Sequence, residues 1–409
     1  MRRVVTLTLA AATAVLFALA PGTAFARRAG QPALTPGQST AALGLDLLRK
    51  LPPGNLVFSP DSVETAVAMA GTGAGGTTAR QIAQVLHLGL PAAFGSIGGL
   101  QARIAAEQAA AAHGAPEAPQ LNIADGLFLQ EGFPAAAPFL ASLSQNFSAT
   151  PQTVNFDSRP AAAVREINEW VSRNTGGLIP SILSNVSEEA KLILANAVYL
   201  HAYWTRQFKA KDVSPGVFHG PRAGVQVPFM HQTESLPFSA GDGYEAVELP
   251  YRSSTLSLMV MLPTGQSLTT LQHGLSATQL SRIAARMKPT ELKLALPKFQ
   301  LALRTELGPV LSSLGMPLAF SEAADFSRID PAAHLAISRI LQAADIEVQE
   351  EGTVAAAATI VEIEATAREI EPPARPFDAD RPFLYFLRDQ KTGAVLFAGR
   401  LVNAAGAQS

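Results

Sequence analysis

No cysteine occurs anywhere in the 409 residues. That excludes disulfide-stapled scaffolds, thiol nucleophiles, Fe–S clusters and cysteine-held zinc. Charge is scarce too: Asp, Glu, Lys and Arg make up 16% of the chain, against 48% hydrophobic residues. So apolar a chain can offset its ordering entropy by burial, which excludes a disordered or low-complexity binder. The formal net charge is −2, so electrostatics give no support to a nucleic-acid partner. No internal repeat and no Pro/Ser-rich linker divides the sequence. Beyond the N-terminus, no segment reaches the ~18 apolar residues of a membrane-spanning helix.

The N-terminus itself reads as a targeting segment. Arg2 and Arg3 precede a charge-free, mostly apolar run from Val4 to Ala20, then Pro21, Gly22 and an A-x-A pattern at Ala24-Phe25-Ala26. A basic start, an apolar stretch and small residues at a cleavage site make a secretory signal peptide over residues 1–26. The other reading is a membrane anchor of ~17 residues, at the lower limit for spanning a bilayer. Cleavage after Ala26 leaves residues 27–409 as a single soluble domain, secreted or periplasmic. A domain of ~370 residues can be held together by its core alone.

Helical patterns come first along the chain and short strands later. Residues 36–50 form a first helix with Leu43, Leu45, Leu47 and Leu48 as apolar positions. Asn55 to Pro60 reads as a short strand and turn. Asp61 or Ser62 is the expected cap of the next helix, with Val63, Ala66, Val67 and Ala70 on its apolar face. Helices follow over 78–88 and 159–173, and a strand over 123–128; the Ala- and Gly-rich stretch 91–120 holds a helix without readable limits. In the second half β-prone runs appear at 192–200, 225–230, 246–249, 256–262, 292–296, 335–340 and 394–401. This order predicts an α+β fold with large mixed sheets.

Enzyme motifs find no footing. Gly71-Thr72-Gly73-Ala74-Gly75-Gly76 satisfies G-x-G-x-x-G, but it follows a helical pattern, whereas a dinucleotide loop must follow a strand. G-x-x-x-x-G-K-[ST], H-E-x-x-H and G-x-S-x-G are absent. No metal and no cofactor is expected.

The informative segment starts at Glu350-Glu351-Gly352-Thr353 and runs through Val354, Ala355, Ala356, Ala357, Ala358 and Thr359 to Ala365-Thr366. At the strand period of two, one face is Thr353, Ala355, Ala357, Thr359, Val361, Ile363 and Ala365, all small or apolar. Ala is also the best helix former, so periodicity alone leaves helix and strand open.

Glu350-Glu351-Gly352-Thr353 with its Ala run resembles the reactive-loop hinge of the serpins, the serine-protease-inhibitor family. Other stretches resemble the family in order: Asn55-x-x-Phe58-Ser59-Pro60-x-Ser62; Asn168-x-Trp170-Val171; Leu194-Ala195-Asn196-Ala197-Val198-Tyr199 with Trp204 and Phe208; Glu248-Leu249-Pro250-Tyr251; Leu296-Pro297-Lys298-Phe299; Leu314-Gly315-Met316 with Ala324-Asp325-Phe326-Ser327; Ala379-Asp380-Arg381-Pro382-Phe383; and Gly393-x-x-Leu396-Phe397-x-Gly399-Arg400.

The resemblance implies one α+β domain with three sheets, eight to nine helices and an exposed loop over about 350–373. It implies a suicide inhibitor of serine endopeptidases, not an enzyme: the protease is acylated by the loop, and the cleaved hinge enters the main sheet as a new strand. A Pro, or a charge on the buried face, would stall that entry; no Pro lies between Gly352 and Ile370, and no charge on the inward face from Thr353 to Ala365. The family's usual spacing puts the cleaved bond between Thr366 and Ala367, suiting an elastase- or subtilisin-like protease; Arg368–Glu369 is the trypsin-like alternative. Ser59, Ser62, Asn196 and Gln342 would form the sheet-opening cluster, and Trp204 a packed switch residue at the sheet top, with an ordinary core Trp as the equal alternative. Members usually carry His where Gln342 stands, so no histidine-type pH dependence of sheet opening is expected. The stretch 91–120 holds Arg103 and no Lys, so heparin-type activation is not expected, and the protein should be a monomer. The rival readings are a serpin-fold protein that acts only as substrate or carrier, and an enzyme of unrelated fold.

Overall fold

The computed structural model describes residues 34–115, 118–332, 334–353 and 373–407. The expected signal peptide, and residues 354–372 with Val354 to Thr359, Thr366, Ala367, Arg368 and Glu369, lie outside the described residues. The elements follow the predicted order. Helix α1 (Pro36–Lys50) has the expected limits, set by Thr35: its hydroxyl accepts from the Gln38 N–H while the Gln38 side chain accepts from the Thr35 N–H. After β1 (Leu56–Phe58), helix α2 (Pro60–Thr72) begins earlier than expected. Its cap is Ser59, whose Oγ accepts from Ser62 N–H at 3.1 Å, and not Asp61 or Ser62. Pro60 explains the shift, since its fixed φ suits the first helical position.

Helices α3 (Gly76–Val85) and α4 (Gly95–Ala112) follow, the latter giving limits to the Ala-rich stretch; then β2 (Gln120–Gln130), α5 (Ala137–Phe147), β3 (Gln152–Val154) and α6 (Pro160–Asn174). The second half supplies β4 (Leu192–Tyr203), β5 (Val213–His219), β6 (Gly224–Gly241), β7 (Tyr244–Pro250) and β8 (Leu256–Pro263). Short helices α7 (Leu268–Gly274) and α8 (Ala277–Arg286) precede β9 (Lys288–Pro297), β10 (Phe299–Glu306) and α9 (Gly308–Leu314). The chain ends with β11 (Ile337–Val348), β12 (Gly352–Thr353), β13 (Arg375–Asp378), β14 (Phe383–Asp389) and β15 (Val395–Leu401). Among the described residues this makes nine α-helices, within the expected eight to nine.

The strands pair in two networks. One runs β10-β11-β4-β2-β3 with β12 attached to β4; the other runs β1-β15-β14-β8-β7-β6-β9-β13 with β5 on β6. The 18-residue β6 pairs with β5 through its first part and with β7 through its last. It therefore joins two of the three expected sheets into one nine-stranded order. The two networks share an apolar layer in which Leu200, Ala344 and Ile346 of the six-stranded sheet meet Val247, Leu258 and Leu396 of the nine-stranded one.

The glycine loop at 71–76 links α2 to α3. Gly75 N–H donates to the Asp325 carbonyl at 2.8 Å, and a Cβ on Gly75 or Gly76 would run into the Asp325 carboxylate. These glycines admit the segment around Asp325; the space a phosphate would need is filled.

Helix α6 covers the outer face of the six-stranded sheet. Ile167 and Val171 pack on Ile193, Ala195, Ala197, Leu341 and Ala343. Trp170 stands edge-on to Phe128 with ring centroids 5.3 Å apart. Both rings depend on Gly126, where a Cβ would lie 2.6 Å from Phe128 and 2.9 Å from Trp170. Gly126→Ala overpacks this contact and should cost about 1–3 kcal/mol, read as a lower urea midpoint with an unchanged slope.

Candidate functional site

β4 and β11 are the centre of the six-stranded sheet, and they run parallel, from Ile337 opposite Leu192 to Asp345 opposite Tyr199. Past Val348 the chain turns back. Gln349 N–H donates to the Gly352 carbonyl at 2.8 Å, and Gly352 and Thr353 then pair antiparallel with Tyr203 and Ala202. Gly352 and Thr353 of the hinge thus already lie on β4. Gly352 is required there, because any Cβ would strike the Ala202 carbonyl. Thr353 is fully buried, and its Oγ1 is 2.8 Å from the Tyr251 hydroxyl. Burial pushes that hydroxyl further above its usual range, so the proton stays in the pair.

The turn is anchored carbonyl by carbonyl. Trp204 Nε1 donates to Gln349 O, Trp204 N–H to Glu351 O and Phe208 N–H to Glu350 O, each at 2.9 Å. Lys298 Nζ reaches the Glu350 carboxylate at 2.7 and 3.0 Å. Trp204 stacks on Tyr251, with centroids 4.5 Å apart and planes 16° from parallel. Trp204 is thus both a core residue and a contact of the hinge: its ring is buried and its N–H holds the turn.

The four residues of the predicted opening cluster do come together. Gln342 lies opposite Asn196 in the β11–β4 register. Its amide clasps Ser59, donating to the Ser59 carbonyl and accepting from the Ser59 N–H, both at 2.9 Å. Asn196 Nδ2 donates to Ser62 O at 3.3 Å and to Asp125 Oδ1 at 2.9 Å. Ser62 Oγ donates to the same Asp125 oxygen. The N-terminus of α2 is therefore a clamp: Ser59 holds β11, and Ser62 holds β2 and β4.

Three carboxyls in this cluster escape the sequence reading. Asp61 and Glu64, on α2, are fully buried; Asp125, on β2, keeps partial exposure. Burial and the nearby Asp125 push Asp61 up to about 7, although the first turn of a helix favours an anion by about 0.3–1 kcal/mol. Burial likewise pushes Asp125 up to about 6, against hydrogen bonds from Ser62, Asn196 and Gln101. Glu64 is raised well above its usual range by burial, more than its bond with Ser39 lowers it. Ser39 Oγ lies 3.0 Å from the Pro36 carbonyl, which can only accept. Ser39 Oγ also donates to the Glu64 carboxyl, whose Oε2 has no partner. The available signal was two acids three residues apart in a helix of otherwise small and apolar residues. The expected absence of pH dependence considered position 342 alone. Among the described residues, no group of three His, Cys, Asp or Glu could hold a metal ion.

The family described as Serpin (serine protease inhibitor) matches residues 38–404. An uncharacterized serpin-like protein of Thermococcus kodakarensis is 37% identical over 349 residues, covering 85% of this chain and 80% of that protein. The leukocyte elastase inhibitor of Xenopus tropicalis is 34% identical over 371 residues, covering 87% of this chain and 96% of that protein. Among solved structures, the thermophilic serpin tengpin in its native state superposes with TM-score 0.77 at 27% identity, over 90% of this chain and 93% of that one.

A carboxyl raised by folding keeps its proton after the unfolded chain has lost it, so stability falls as pH rises past the unfolded value. Glu64 makes the native state less stable from about pH 4.5 upward, by at most about 1.4 kcal/mol per pH unit. Glu64→Gln keeps an acceptor for the Ser39 hydroxyl and cannot ionise. Urea denaturation should show it near wild type at pH 4.5, and more stable by about 1–3 kcal/mol at pH 7.5. A gain that is the same at both pH values would refute the assignment.

Proposed function

The chain belongs to the serpin family, and we propose that it is an inhibitory member which traps serine proteases as acyl-enzymes. The family stands for protease inhibition generally. The observation that carries the inhibitory reading is the antiparallel docking of Gly352 and Thr353 on β4. A strand continuing from Thr353 in that direction would run down between β4 and β11, antiparallel to both.

In this reading the protease serine attacks the carbonyl carbon of Thr366. Its Oγ forms an ester there, the Thr366–Ala367 bond breaks, and the new amine of Ala367 leaves with the proton. Entry of residues 354 onward into the sheet then carries the ester-linked enzyme away before water can release it. Small Thr366 and Ala367 favour an elastase- or subtilisin-like target, in line with the relative named leukocyte elastase inhibitor; Arg368–Glu369 is the trypsin-like alternative. Ser59, Ser62, Asn196 and Gln342 would restrain sheet opening until then. The N-terminal 26 residues would be a cleavable signal, giving a secreted or periplasmic, monomeric domain from residue 27. Activation by heparin is not expected, since Arg103 of α4 is already paired with Glu107 at 3.9 Å.

The mature protein is mixed with elastase, subtilisin and trypsin, run on denaturing gels, and the released C-terminal peptide is weighed. A band of summed mass that survives SDS is expected, with a peptide beginning at Ala367. A peptide beginning at Glu369 moves the bond to Arg368. Thr353→Arg puts a charge where Thr353 is fully buried and should turn the protein from inhibitor into substrate. Clean cleavage of the wild type without the high-mass band refutes the inhibitory reading and leaves a substrate or carrier.

A further inference from the structure

Beneath the six-stranded sheet, α2, β2 and α4 bring two carboxyls to one amide. Gln101 Nε2 lies 3.4 Å from Asp61 Oδ2 and 3.4 Å from Asp125 Oδ2. Asp61 is fully buried, and its other oxygen, Oδ1, has no partner. Asp125, partly exposed, gives the pair a route for proton exchange with solvent.

The surroundings offer no counter-charge. α2 adds a third acid, Glu64; α1 contributes Ser39, α4 Gln101, β4 Asn196 and β11 Gln342. Asp345 and Glu347 of β11 project from the opposite face, by the strand alternation that turns Gln342, Ala344 and Ile346 inward. Among the described residues no Lys, Arg or His bonds to Asp61, Glu64 or Asp125. Two ionised carboxylates here would repel across the α2–β2 contact in a medium that screens them poorly.

That contact is one jaw of the clamp on the sheet. A strand entering between β11 and β4 must break either the Gln342–Ser59 clasp or the bonds of Asp125 and Asn196 to Ser62. We propose that the Asp61–Asp125 pair is a proton latch on sheet opening: while it holds a proton the sheet stays shut on α2, and once the proton leaves, the β2–β4 half loosens and the strands part more readily. The pair's raised values, about 7 and about 6, place the change between about pH 5 and 8. Opening admits water, so the open state binds fewer protons and is favoured as pH rises. The role of opening in trapping a protease rests on the inhibitory reading; the opening itself does not.

Amide hydrogen exchange of β4 and β11 in the intact protein, corrected for intrinsic rates, measures opening without any protease. Release of one proton raises the opening constant by up to ~10-fold per pH unit, so at least a tenfold rise is expected between pH 5.5 and 8. The double variant Asp61→Asn/Asp125→Asn should give a flat profile. A flat wild-type profile, or an unchanged slope in the double variant, overturns the latch. Should the double variant not fold, infrared titration of the wild type decides. A protonated-carboxyl band that is lost between pH 5.5 and 8, and lost from the pH 5.5 spectrum of Asp61→Asn, supports the latch; no such band at pH 5.5 overturns it. Failure here with an SDS-stable protease complex on the gel would remove the latch and keep the inhibitor; the opposite pair of results would do the reverse.

Discussion

The parallel ladder between β4 and β11 is the constraint on which the rest depends. Parallel pairing is slightly weaker per residue than antiparallel, yet here it fills the middle of the six-stranded sheet. One antiparallel strand placed between these two would replace one parallel ladder by two antiparallel ones. The chain that could supply it leaves β11 through the turn at Gln349–Gly352 and has its first two residues in that orientation. The other features of the region hold this unfinished arrangement in place. Trp204, Phe208 and Lys298 fix the turn; Ala195, Ala197 and Ala343 keep the face under α6 thin at the seam.

Holding the seam shut falls to α2, and α2 does so with polar contacts at the base of an apolar helix. From Pro60 to Gly71 every residue of this helix is buried. A helix buried on all sides ordinarily carries apolar residues all round, so Asp61 and Glu64 cost the native state free energy. Among the described residues neither has an ion partner, and Asp61 Oδ1 and Glu64 Oε2 have no hydrogen bond. Well-packed apolar side chains at both positions would give a more stable closed sheet. In the proposed inhibitory reading the closed sheet is left short of its best state, and such a fold would tolerate that cost where a purely structural domain would not.

Much of this was legible in the sequence. Helix α1 came out with its own limits because Thr35, Pro36 and Gln38 form a local capping box. The cluster of Ser59, Ser62, Asn196 and Gln342 came from motifs in a recognisable order, and the fold brings those residues together. What escaped depends on register. Asp125 meets Ser62 only because β2 pairs with β4 so that Asp125 falls opposite Asn196, and no local pattern encodes that pairing. Asp61 read as a cap because caps favour Asp, until Pro60 and Ser59 moved the helix start. The continuity of β6 across two sheets is likewise set by its partners β5 and β7, not by its own residues.

The two jaws of the clamp differ in kind. Gln342 uses both ends of its amide on one residue, accepting from the Ser59 N–H and donating to the Ser59 carbonyl. An imidazole presents its donor and acceptor on opposite sides of the ring, and its second proton would abolish the acceptor. Gln342 can thus pin β11 to α2 in a way that does not change with pH. The β2–β4 jaw is made of Asp125 and Asn196 on Ser62, beside Asp61 with its unpartnered Oδ1, and in the proposed latch it is the jaw that titrates. Any pH sensitivity of the gate must therefore act by releasing β2 and β4 from α2 while β11 remains held, so the half of the sheet that moves is the half carrying β12's partner strand.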